Sequence, residues 1–203
     1  MKLKNVIITI VSILFIGFLL GKLNIQTNPT GTTKVQASKV SHSQNKKKKD
    51  LIIYFSLSGT TKKAAEQIKK DTGADIVRLE PKKAYPNSYD AAVPVAKKEM
   101  QNKKHPAIKS TIPNLKKYDT IYIGFPTWWR QPPMIIHSLF DKYDFSNKKI
   151  VPFTTSMESP ISKSMPYMKT MADNDHATLL KGFRYNDNNT SLKKFLKKND
   201  LIK

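Results

Sequence analysis

Five short strand-like runs, at residues 51–55, 75–79, 120–125, 149–154 and 178–183, alternate with stretches of helical periodicity. The first, Leu51-Ile52-Ile53-Tyr54-Phe55, is apolar at every position. A strand with one wet face would alternate; a continuous run marks one covered on both faces. Strands alternating with helices predict an α/β fold, a parallel sheet with helices on both sides. The helices are expected over residues 60–71, 88–104, 133–143, 162–172 and 191–198. Gly73 is the expected stop of the first helix. Pro94 is expected to start or kink the second, and Pro126 to end the third strand. Ligands of such sheets bind outside the carboxyl ends of the strands, which directs attention to the loops that begin at residues 56, 126 and 154.

The first of these loops reads Ser56-Leu57-Ser58-Gly59-Thr60-Thr61 and leads into a helix. A helix start offers unpaired backbone N–H groups and a partial positive charge. Four hydroxyls surround it, and Gly59 permits a tight turn. Thr60 alone would make a reasonable cap, but one cap does not call for four hydroxyls in six residues. The loop lacks the lysine of a triphosphate-binding loop and the three glycines of a dinucleotide turn. A single phosphate monoester suits it.

These residues resemble the phosphate loop of flavodoxins. Two further stretches extend the resemblance over about residues 50–200. One runs through Glu80-Pro81, Tyr85-Pro86, Tyr89, Glu99 and His105-Pro106. The other comprises Tyr118-Asp119, Gly124 to Trp129, Pro132-Pro133 and Pro152 to Ser156. The resemblance implies a flavodoxin-like three-layer sandwich, with a five-stranded parallel sheet of order 2-1-3-4-5. It implies flavin mononucleotide (FMN) as cofactor. The phosphate would lie at Ser56, Ser58, Gly59, Thr60 and Thr61. One wall of the ring site would be Pro126, Thr127, Trp128 and Trp129, and the facing loop Thr154, Thr155 and Ser156. The family usually has glycine after the tryptophan pair and after the third loop; this chain has Arg130 and Met157-Glu158 there.

Charge and composition bear on partners. The chain has no cysteine, which excludes disulfides, thiolate nucleophiles and cysteine-held metals. Residues 1–49 carry nine lysines and no acid; the remaining 27 basic and 15 acidic residues leave the rest of the chain at +12. Such a balance favours anionic membrane or cell-wall surfaces and acidic proteins. No specific nucleic-acid partner is expected, since no nucleic-acid motif accompanies the diffuse lysines. His42, His105, His137 and His176 show no metal-ligand spacing.

The N-terminus reads as an appendage. Lys2 and Lys4 precede an apolar stretch over residues 6–20, so residues 1–23 are expected to be a membrane anchor or signal segment. Residues 24–49 are polar, aromatic-free and Lys-rich, as a disordered tether would be. The expected arrangement is an uncleaved anchor holding residues 50–203 outside the cell membrane; the alternative is secretion after cleavage near Ala37. The function expected of the whole is electron transfer to a redox partner protein or small acceptor. Two alternatives stand beside it: an FMN-dependent reductase of quinones or similar acceptors, and a non-redox module of the same fold that binds anionic surfaces.

Overall fold

The structure is a computed structural model, and it describes residues 49–203. The expected anchor and tether lie outside the described residues, except Lys49, which opens the first strand rather than closing the tether. Among the described residues no helix is long and apolar enough to cross a membrane.

The elements follow in alternation. Strand β1 (Lys49–Tyr54) leads to α1 (Thr60–Thr72), β2 (Asp75–Arg78) to α2 (Tyr89–Gln101), and β3 (Tyr118–Pro126) to α3 (Met134–Lys142). Strand β4 (Lys149–Thr155) leads to α4 (Met165–Asn174). Two short strands, β5 (Thr178–Leu179) and β6 (Phe183–Arg184), precede α5 (Asn189–Lys198). All strand pairs are parallel, and the order is β2-β1-β3-β4-β5, with β6 also on β4. The expected fold class and strand order hold.

The continuous apolar strands serve two cores. Leu51, Ile53 and Phe55 join Ile121, Ile123 and Phe125 on the face covered by α2, α3 and α4, through Ala92, Ala96, Ile135, Leu139 and Met168. The intervening Ile52, Tyr54 and Tyr122 join Val151 and Phe153 under α1 and α5, through Ala64, Ala65, Ile68, Leu192 and Leu196. Neither side of the sheet is left to water, which is why no position in residues 51–55 is polar. Each fully buried branched side chain here contributes about 1.5–3 kcal/mol of transfer free energy. Gly124 allows the tightest approach: a Cβ there would lie 2.1 Å from the Phe153 ring.

Three prolines shape these elements. Pro126 ends β3 as expected, sitting opposite Thr155 as the last paired residue. Pro94 lies inside α2 and does not start it; the helix begins at Tyr89, where the Ser88 hydroxyl accepts from the Ala91 amide. Pro152 breaks the fifth strand. The Ile150 carbonyl accepts from Leu180, so Pro152, two residues on, turns its missing N–H toward the same neighbour. Pairing resumes only where the Thr154 carbonyl accepts from Tyr185. Five residues of the fifth strand thus span four of β4, and the single run expected over 178–183 becomes β5 and β6.

Candidate functional site

The loop after β1 is held by its own first hydroxyl. Buried Ser56 accepts the Gly59 amide on its Oγ at 3.1 Å. Gly59, not Thr60, is the residue that caps α1, and it does so at φ 93° with no side-chain hydrogen bond to the helix. Only glycine takes that conformation freely. The first intrahelical bond runs from the Lys63 amide to the Gly59 carbonyl. The amides of Thr60, Thr61 and Lys62 therefore precede any helix acceptor. No acidic residue occupies the first turn. The exposed hydroxyls of Ser58 and Thr60 lie 3.3 Å apart beside these amides.

Thr61 points inward. Its hydroxyl is buried and meets that of Thr155, at the end of β4, at 2.8 Å. A second pair joins the other two loops. The Thr154 hydroxyl donates to the Phe125 carbonyl at 2.7 Å and so receives the Thr127 hydroxyl, also at 2.7 Å. The Thr127 amide donates to the Thr155 carbonyl at 3.0 Å. Threonines at the start of α1, after β3 and at the end of β4 thus lock the three loops into one frame.

The tryptophan loop is a two-residue hairpin. Trp128 and Gln131 exchange backbone hydrogen bonds, each 3.0 Å long. Trp129 and Arg130 between them adopt φ of 46° and 65°, the pair of positive values that a type I′ turn requires. This explains why glycine is expected at position 130; arginine fills the same conformation at a steric cost. The turn sends the two indoles apart. Trp128 stands edge-on to Phe55 and Tyr85, with ring centroids 5.5 and 5.4 Å away. Trp129 is 40% exposed.

These loops border a cleft of about 690 Å³ at the carboxyl edge of the sheet. Ser58, Thr60, Thr61, Pro126, Thr127, Trp128, Thr155 and Ser156 line it. Ser56, Gly59, Thr154 and Trp129 do not; the first three shape the loops from behind. Trp129 instead lines an adjoining pocket of about 270 Å³, with Leu57, Ala92, Val93 and Ala96. Sequence reasoning left out Leu57, Asn87, Tyr89 and the segment from Tyr185 to Asp187, all on the cleft wall. The last segment follows the fifth strand, so the rule that ligands gather at carboxyl ends could have found it. Asp187 is engaged from both sides. Lys63 of α1 donates to it at 2.7 Å and the Tyr185 hydroxyl at 3.1 Å, which holds its carboxyl below the usual range. Met157 is 98% exposed beside the cleft, with Glu158 next to it on the wall.

The histidines are less dispersed than the sequence suggests. His105 and His137 approach to 5.3 Å between ring centroids, and Asp141 takes a hydrogen bond from His105. Burial, and then the neighbouring His105, holds His137 below the usual histidine range. Among the described residues no group of acidic and histidine side chains is placed to hold a metal.

No curated protein matches the chain. A protein assigned as a flavoprotein from Bacteroides eggerthii DSM 20697 superposes with a TM-score of 0.69 at 30% identity, covering 75% of this chain and 98% of its own. One from Bacteroides uniformis ATCC 8492 gives 0.67 at 32% identity, covering 74% and 98%. The flavoprotein of Lactobacillus acidophilus NCFM, solved in complex with FMN, gives 0.62 at 25% identity, covering 72% and 97%. The family model described as flavodoxin matches residues 49–199. With that match spanning most of the chain, and the strand order β2-β1-β3-β4-β5 in agreement, the chain belongs to the flavodoxin family.

Proposed function

We propose that the chain binds FMN in the cleft after β1, β3 and β4 and transfers electrons, tethered to the membrane by its N-terminal segment. One observation carries the reading: α1 begins without any side-chain cap, and its first amides and the Ser58 and Thr60 hydroxyls face a cleft of ligand size. A dianionic phosphate would accept from those donors and sit at the positive end of the helix. The donor set therefore fits the group. Pro126, Thr127 and Trp128 would border the ring on one side, and Thr155 and Ser156 on the other. Bound FMN supplies reversible electron transfer. The protein residues bind and orient it, and no side chain need move a proton.

The test is a fluorescence titration of the full chain with FMN and with riboflavin. Charge-assisted hydrogen bonds contribute roughly 1.5–3 kcal/mol each, so FMN is expected to bind far more tightly. Equal affinities would remove the phosphate site. A colourless protein after purification with added flavin would favour the non-redox alternative. The outward location has its own test. Protease added to intact cells should release a fragment the size of residues 50–203, whereas protection until lysis would place the domain inside.

A second reading, reduction of quinones, is favoured by the adjoining pocket. Its lining holds no charged residue, and Leu57, Tyr89, Thr127 and Trp128 border both it and the cleft. An uncharged planar acceptor would suit it. Sustained NAD(P)H oxidation on addition of a quinone would support this reading over a pure carrier.

A further inference from the structure

A second large cavity, about 740 Å³, has Tyr85 in its wall. Lys82 and Lys83 line it from the loop after β2, Lys98 from the last turn of α2, and Lys104 from the segment that follows. Among the described residues none of the four takes part in an ion pair. The one carboxylate in the cavity is Glu99, and the Tyr85 hydroxyl donates to it. Between the lysines the walls are apolar, with Pro86, Val95 and Ala107. The walls are tied together, since the Lys82 amide donates to the Ala107 carbonyl at 2.7 Å and the Lys104 amide to the Glu99 carbonyl at 2.8 Å.

We infer that this basic cavity is the docking site for an acidic, partly apolar segment of a partner protein that exchanges electrons with the cofactor. Two observations select that occupant. Four cations, none in an ion pair and only Lys104 influenced by Glu99, stand around an apolar floor and match alternating acidic and apolar side chains. Tyr85, which lines the cavity, stands 5.4 Å from Trp128, which lines the cofactor cleft. A hydride donor must touch the flavin, but an electron can cross two packed rings, so the position suits a protein partner rather than a dinucleotide. The chain cannot fill the cavity itself by charge. Residues 24–49 hold no acidic side chain, and a second copy would bring a domain of +12. Only the exchange of electrons rests on the FMN reading; docking does not.

The experiment measures binding of a fluorescein-labelled peptide that alternates Glu with Leu to the full, flavin-free chain. Three forms are compared: the natural chain, the triple variant K82E/K98E/K104E, and K193E/K194E/K197E on α5, which changes net charge equally. The cavity variant is expected to lose about ten-fold or more in affinity, at up to ~1 kcal/mol per exposed pair, and the α5 variant much less. The neutral set K82Q/K98Q/K104Q, which avoids a reversed charge at the α2 terminus, should fall between. Equal losses in the cavity and α5 variants would reduce the binding to net charge and overturn the proposal. So would phosphatidylglycerol vesicles that lose binding with the cavity variant while the peptide does not, since the site would then serve lipid. Because no flavin is present, a failure of the FMN titration and a failure of docking remain separate results.

Discussion

Helices α1 and α5 both pack on the same face of the sheet and both start at its carboxyl edge, yet their first turns are built in opposite ways. Asn188 caps α5, its side chain accepting the Ser191 amide at 2.9 Å. Such a cap stabilises by about 1 kcal/mol. Helix α1 forgoes it: Gly59 has no side chain to offer, and the buried Ser56 hydroxyl is turned back to the Gly59 amide outside the helix. The lesson is that two helix starts at one sheet edge can differ in whether a side chain caps them. The donors that α5 uses for its own stability are, in α1, held open at the edge of a cleft.

Giving α1 an acid of its own should break the contrast most strongly. With Thr60→Asp, a carboxylate would occupy the place expected for the phosphate. FMN affinity should fall by about 10–150-fold, equivalent to losing one charge-assisted hydrogen bond. The melting temperature should rise slightly, since an acid in the first turn contributes about 0.3–1 kcal/mol. Unchanged FMN affinity would mean that α1 does not hold the phosphate.

Thr61→Val tests the frame behind that open start. The substitution leaves the buried Thr155 hydroxyl without its partner, at a cost of about 1–3 kcal/mol. The denaturation midpoint should drop and FMN binding should weaken with it. A midpoint that does not move would show that the bridge between α1 and β4 is incidental.

Removing the cap of α5 sharpens the comparison from the other side. Asn188→Ala should cost about 1 kcal/mol, or about 2–4 °C in melting temperature for a domain of this size. FMN affinity should stay as it was. A parallel loss of FMN would mean that the two helix starts are coupled and not merely opposite.

The smallest effect is expected at the turn where the chain does not use glycine. Arg130 holds φ 65° with a side chain, whereas Gly59 takes its positive φ without one. Arg130→Gly should relieve that strain, but glycine adds freedom to the unfolded chain, so the net gain is less than about 1 kcal/mol. Thermal denaturation measures it directly. A loss of stability would mean that the arginine makes a compensating contact at the hairpin tip.

Much of this molecule is decided by local pattern. Residues 51–55 are apolar throughout because both faces of β1 are covered, so a buried parallel strand could be read from composition alone. The hydroxyl-rich loop before a helical stretch was legible for the same reason, since its chemistry is local. Pro152 and the tryptophan pair were not. Whether a missing N–H matters depends on which neighbour it faces, and only the bond from Leu180 to Ile150 shows that it faces the fifth strand. Adjacent indoles look equivalent in a sequence, yet the positive φ at Trp129 and Arg130 sends one to the aromatic cluster and the other to the surface. Tyr85 and Trp128 are 43 residues apart, and they meet because the strands that precede them, β2 and β3, flank β1. Sequence determined the elements, the charge and the hydroxyl-rich loop, which depend on neighbours along the chain. Tertiary structure alone decided the break in the fifth strand, the separation of the two indoles and the placing of a basic cavity next to the cofactor cleft, because each depends on residues that meet only across the sheet.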